Sequence, residues 1–183
     1  MKATGVVRSV DSLGRIVIPK ELRRVMKIRE GDPMEIYTET DGEVVLKKYS
    51  PVGEMADFAK QFAKALSKSS GMNAVITDTE KVVAYAGKDK DMKDTPISEQ
   101  LYNLMEERKA LKASKGEKNF IPVIDKNEDD KYDYDHEIIS PILADSEVIG
   151  SVMLLTGEGK AKVTDAELKM VACGAYFFSL QVG

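Results

Sequence analysis

The spacing of apolar and polar positions changes several times along the chain, and each change predicts an element. Gly5 to Val10 and Arg15 to Ile18 are short β-branched runs on either side of Asp11-Ser12-Leu13-Gly14, a turn sequence. Pro19 suits the first position of a helix, where its missing N–H costs nothing. From Lys20 to Lys27 the residues separate onto two helical faces. Leu22, Val25 and Met26 recur at i, i+3, i+4; Lys20, Arg23, Arg24 and Lys27 recur at i, i+3, i+4, i+7 opposite them. Gly31-Asp32-Pro33 stops that pattern. Met34–Thr38 and Glu43–Lys48 then alternate as strands around Asp41-Gly42, a hairpin-turn pair, with Met34, Ile36, Val44 and Leu46 as the apolar side. Ser50-Pro51-Val52-Gly53 ends the run. The pattern predicts a β-β-α-β-β module over 1–52 and a second domain over 53–183.

The second domain mixes both periods. Residues 54–68 read as an amphipathic helix with Met55, Phe58, Ala59, Phe62 and Leu66 on one side. Asn73–Thr77 and Lys81–Ala86 read as strands around Asp78-Thr79-Glu80. A helix opens at Thr95-Pro96 and runs to about Arg108. Phe120–Ile124, Glu137–Leu143 and Val148–Leu155 follow as strands, the last almost unbroken in apolar residues, as in a sheet covered on both faces. Thr164-Asp165-Ala166-Glu167 is a capping-box pattern that opens a final helix through about Leu180. Strands between flanking helices predict an α/β sandwich. The apolar stripes of the first and last helices either both cover the sheet or in part form a helical bundle with a second chain.

Charge changes this picture only when counted by segment. The whole chain is −4, which taken alone argues against a nucleic-acid partner. Residues 1–30 carry eight basic and three acidic side chains, or +5; residues 31–52 carry −3 and residues 53–183 carry −6. A basic piece joined to an acidic one is the electrostatic footprint of a nucleic-acid-binding module. About 50 residues with few large apolar groups, no disulfide and no metal make a marginal core, so the module is expected to fold by pairing with a second copy. That pairing also doubles the basic surface, and affinity grows steeply with the number of neutralised phosphates. No apolar run reaches the ~20 residues that span a bilayer, and no signal peptide is recognisable. The single cysteine suits a reducing compartment.

The segments Met1-Lys-Ala-Thr-Gly-Val-Val-Arg8, Val10-Asp-Ser-Leu-Gly-Arg15-Ile-Val-Ile-Pro19-Lys-Glu-Leu-Arg23-Arg24 and Gly31-Asp32-Pro33-Met34-Glu35-Ile36 through Leu46-Lys47-Lys48-Tyr49 resemble the AbrB-type transition-state regulators. The resemblance implies a swapped-hairpin β-barrel dimer that binds double-stranded DNA, with contacts at Arg8, Arg15, Arg23 and Arg24; the basic helix face adds Lys20. It also implies a loose AT-rich preference read through DNA shape. An AbrB-type head followed by an acidic domain of ~130 residues is similar in layout to sporulation transcription regulators of endospore-forming bacteria, whose C-terminal domain is GAF-like. That likeness implies a cytoplasmic, nucleoid-associated protein of the forespore, tetrameric through the C-terminal helices. Its GAF-like domain senses a small-molecule ligand or sets the oligomeric state. A different class carries the same head: antitoxins, which usually continue into a disordered toxin-binding tail.

The remaining candidate chemistry is sparse. Asp125, Asn127 and Asp129 stand at positions 1, 3 and 5 of a calcium loop, but Asp130 and His136 replace the required Gly and Glu, so an acidic loop without metal is expected. His136 lies beside Asp133, Asp135 and Glu137, with no Ser or Cys visibly tied to it, so no catalytic set is expected. Cys173, inside a helical apolar stretch, reads as a small core residue. The Asn-Lys-Phe-Asp-Glu type of motif for cyclic nucleotides and Gly-rich phosphate loops are both missing. The expectation is a regulator that is not an enzyme and carries no cofactor.

Overall fold

The computed structural model describes residues 4–88, 92–125, 134–157 and 163–182. Its contacts divide the chain into two compact units, Met1–Tyr49 and Ser50–Gly183.

In the first unit, or head, Asp11 builds the expected turn. Its carboxylate accepts the backbone N–H groups of Leu13 (2.9 Å) and Arg15 (2.8 Å). Gly14 supplies the left-handed backbone that closes it (φ 77°). The flanking segments, expected as strands over Gly5–Val10 and Arg15–Ile18, form no ladder within the chain; their link is the Asp11 N–H to Arg15 carbonyl bond at 3.0 Å. A strand needs a neighbour's N–H and C=O groups, and a swapped hairpin finds them on another chain. Helix α1 (Lys20–Val25) is shorter than the expected Lys20–Lys27. Pro19 caps it rather than occupying its first turn, and Lys27 turns into the left-handed region (φ 51°), which takes it off the basic face. Strands β1 (Met34–Thr38) and β2 (Val44–Lys48) pair antiparallel, Ile36 opposite Leu46, around the Asp41-Gly42 turn.

The second unit begins at a polar tie. Ser50 caps α2 (Pro51–Glu54) by accepting the Gly53 N–H at 2.9 Å and donates to Asp78 at 2.8 Å. Helix α3 (Ala56–Ser70) follows and ends on Gly71 in the left-handed conformation. Next come β3 (Asn73–Thr77), β4 (Val82–Ala86), α4 (Glu99–Glu106), β5 (Leu111–Ser114), β6 (His136–Ala144), β7 (Glu147–Thr156) and α5 (Asp165–Val182). The five strands form one antiparallel sheet in the order β4-β3-β7-β6-β5. The edge strand is Leu111–Ser114, which sequence periodicity missed. The expected strand at Phe120–Ile124 makes only an isolated bridge, Ile97 to Ile124, and lies over the sheet as a strap. Four residues with one inward Ala113 are too short to show a period of two.

Each face of the sheet carries its own core. Ala74, Ile76, Ile138, Val152 and Leu154 point towards α3 and α5, with Phe178 buried among them. Val75, Ile139, Met153 and Leu155 point the other way, towards Leu101 and Met105 of α4 and Val123 of the strap. This alternation is why β7 looks continuously apolar. The expected capping box is present: Glu167 accepts the backbone N–H of Thr164 at 2.8 Å and its hydroxyl as well.

Candidate nucleic-acid interface

The head presents its basic residues in two places. Arg8 and Arg15 flank the Asp11 turn, and Lys20, Arg23 and Arg24 occupy α1; all five are exposed. Asp11 orients Arg15, accepting its Nε–H at 2.8 Å. The Arg15 backbone N–H and guanidinium hold the Asp11 carboxyl below its ordinary range. Arg8 donates to its neighbour's Val7 carbonyl at 3.1 Å. Arg23 and Arg24 lie in the last turn of α1, where the helix dipole favours positive charge. Lys47 stacks over Tyr37, 4.5 Å from the ring centre.

The apolar residues of the same unit are also in water. Val7 (86 %), Val25 (80 %), Leu13, Val17, Ile36 and Val44 are largely exposed, and Pro19 is the one buried residue of the head among those described. The face of α1 read as apolar from the sequence, Leu22, Val25 and Met26, therefore has no core of its own chain to meet. Surface of this extent marks an interface.

In the second unit the structure corrects two readings. Cys173 is exposed; the buried positions of α5 are Val171, Gly174, Ala175 and Phe178, and Cys173 falls between them. His136 does have a serine partner: Ser114 Oγ lies 2.9 Å from Nδ1. The two residues stand opposite each other in the β5–β6 register, a pairing invisible in the sequence because β5 was not recognised. Of the calcium-like triplet only Asp125 is described; Asn127, Asp129 and Asp130 lie outside the described residues, as does Asp133 beside His136. Sequence reasoning also passed over Glu137, a fully buried carboxyl inside an apolar strand. Charge at a core-facing strand position was the available signal.

Helices α3 and α5 pack side by side through aromatic rings. Phe58 stands 5.3 Å from Phe178 and 5.5 Å from Phe177; Phe62 stacks on Phe177 at 6.3 Å. Gly174 permits this closeness, since a Cβ there would lie 2.8 Å from the Phe62 ring. The stripes thus cover the sheet and meet each other, and Tyr176, Phe177 and Leu180 remain exposed beyond them. No helix among the described residues is long and apolar enough to cross a membrane.

Comparisons with known proteins agree with both units. Residues 54–183 match the family described as stage V sporulation protein T C-terminal, transcription factor. Residues 7–54 match the family described as antidote-toxin recognition MazE, bacterial antitoxin. The chain is 40 % identical over 183 residues to stage V sporulation protein T of Bacillus subtilis, covering 100 % of this chain and 99 % of that protein. It is 43 % identical over 86 residues to the transition state regulatory protein AbrB of the same organism, covering 43 % of this chain and 88 % of the relative. The GAF domain of Thermosynechococcus elongatus PixJ, 8 % identical, shares the fold of the second unit (TM-score 0.54, 72 % of this chain and 88 % of that one). The chain therefore belongs to the stage V sporulation protein T family: it is a sporulation transcription regulator with an AbrB-type DNA-binding head and a GAF-like C-terminal unit.

Proposed function

We propose that Arg8, Arg15, Lys20, Arg23 and Arg24 contact the phosphates of double-stranded DNA, and that the head does this as a swapped-hairpin dimer. Residues 1–52 serve as the DNA-binding domain and residues 53–183 as the sensory or oligomerising one. The observation that carries the reading is the coincidence, on one small unit, of exposed basic side chains with apolar residues that a single chain leaves in water. A second copy that buries the apolar set brings two sets of arginines onto one duplex. Few base-edge groups are on offer, so an AT-rich preference is read through groove shape.

Two such dimers join into a tetramer through α3 and α5, where Tyr176 (66 % exposed) and Leu180 (57 %) offer apolar surface to a second copy. Linking two heads raises avidity by roughly 10²–10⁴ without any new DNA contact. The GAF-like unit receives a small-molecule signal or serves purely to set this state. The protein acts in the cytoplasm, at the nucleoid of the forespore, as a regulator and not as an enzyme.

The test is binding to several unrelated duplexes over a range of salt concentrations. Replacing Arg23 and Arg24 together by Ala should weaken binding to all of them and reduce the slope of log K against log salt by about 2, near 0.9 per lost phosphate contact. Unchanged affinity at every salt concentration removes these residues from the interface. The match of residues 7–54 to an antitoxin family supports a second reading, an autoregulating antitoxin. Recovery of a small toxin with the full chain would favour it over a regulator that copurifies only with itself.

A further inference from the structure

Glu137 has no part in DNA binding or assembly, yet it is fully buried on the α4 side of the sheet. One of its carboxyl oxygens accepts the Ile121 N–H at 2.8 Å, and the other has no hydrogen-bond partner. The bond to Ile121 fastens the strap of residues 120–125. A second fastening stands beside it: the Tyr134 hydroxyl accepts the Val123 N–H at 2.9 Å and donates to the Ile121 carbonyl at 3.1 Å. The strap's other edge holds the start of α4. Ser98 donates its N–H to the Val123 carbonyl at 3.1 Å and its hydroxyl to the Pro122 carbonyl. The same Ser98 hydroxyl caps α4 by accepting the Leu101 N–H at 3.0 Å.

The surroundings of Glu137 disfavour charge. Ala113 of β5 and Leu155 of β7 stand opposite it. Phe120 and Val123 of the strap and Leu101 and Met105 of α4 belong to the same apolar cluster. Tyr134 is the titratable side chain acting on it among the described residues, and burial first, then Glu137, pushes that hydroxyl above its ordinary range. His136 projects from the opposite face of β6. Glu117, Lys118 and Asp125 at the strap's ends, Glu99 and Glu106 on α4, Lys112 on β5 and Glu147 on β7 are exposed. A carboxylate in this setting has one donor and an unpartnered oxygen in a dry cluster. Burial pushes the Glu137 carboxyl up to about 7, against the opposing effect of the Ile121 N–H.

We propose that Glu137 is a proton-operated latch: protonated, it holds the strap of residues 120–125 on the sheet; on giving its proton to solvent it releases the strap and, through Ser98, loosens the first turn of α4. The GAF-like unit then responds to pH in the neutral range. The sign follows from the two states. A released, hydrated Glu137 returns to its ordinary value of 4.5. Closing is therefore fully favoured below that value, weakens as pH rises through about 7, and levels off above it. Between pH 5.5 and 8 the opening equilibrium rises on the order of 10-fold.

Hydrogen exchange of the full chain at pH 5.5 to 8, with intrinsic rates divided out, tests this. Protection of the strap amides should fall on the order of 10-fold over that range, while amides of α5 stay unchanged. Glu137→Gln keeps an acceptor for Ile121 and cannot titrate, so its strap protection should be flat. Tyr134→Phe should lower strap protection at every pH and keep the wild-type slope. A flat wild-type profile, or the same slope in Glu137→Gln as in wild type, overturns the latch. Should Glu137→Gln not fold, the wild-type and Tyr134→Phe profiles decide alone: both sloping supports it, and either one flat refutes it.

Discussion

Ile36 in the head and Ile76 in the C-terminal unit are the same side chain at a core-facing position of an antiparallel strand. Ile36 is 66 % exposed and Ile76 is fully buried. Ile76 lies in a five-stranded sheet with helices on one face and a helix and strap on the other, so everything it needs belongs to its own chain. Ile36 lies in a two-stranded sheet, and hairpins of that size are marginal in water without something to pack against. The difference teaches how the two units reach stability. The GAF-like unit closes its cores within one polypeptide; the AbrB-type head leaves its core half-made for a second copy to complete. Coupling the head's fold to dimerisation also ensures that its arginines are presented in pairs.

Charged residues placed at these two isoleucine environments would separate the units most sharply. Ile36→Asp should be close to neutral if the head stays as one chain shows it, but if a dimer buries the site it sets an unpaired carboxylate in each copy. The expected loss is on the order of 5 kcal/mol per dimer. DNA binding should vanish in anisotropy titrations while the GAF-like unit keeps its urea transition. Phe178→Ala probes the opposite case, removing a fully buried ring between α3 and the sheet. It should cost about 4 kcal/mol in urea unfolding of the second unit, with head-to-DNA contacts retained in the salt slope.

Smaller effects sharpen the contrast within the second unit. Ser98→Ala removes both the cap of α4 and a tie to the strap, and should cost about 1 kcal/mol by chemical denaturation. Cys173→Ser, at an exposed position of α5, should change stability by less than about 0.5 kcal/mol. A larger loss, accompanied by dissociation in native mass spectrometry, would instead place Cys173 inside the contact between copies.

Much of this was legible in the residues because local chemistry carries it. The Asp11-Ser12-Leu13-Gly14 turn, the Asp41-Gly42 hairpin and the Thr164–Glu167 cap each depend on groups within a few positions of one another, so sequence order already places the partners together. The basic face of α1 was readable for the same reason, up to Lys27, where the helix stops sooner than its periodicity suggests. Long-range pairings were not readable. Leu111–Ser114 becomes a strand because β6 lies alongside it, and residues 120–125 fail to become one because Tyr134, Glu137 and Ser98 take their backbone groups.

By itself the sequence determined the two-part organisation, the charge split between the parts, the elements with local signals and the arginines of the head. Only the tertiary structure decided which side chains meet across the chain: Ser114 with His136, Phe62 with Phe177, and Glu137 with the strap. The physical reason is that burial is a property of the assembled fold. An Asp at a turn keeps its role wherever the turn is placed, whereas a Glu in a strand becomes a buried acid only once α4 and residues 120–125 have closed over it and excluded water.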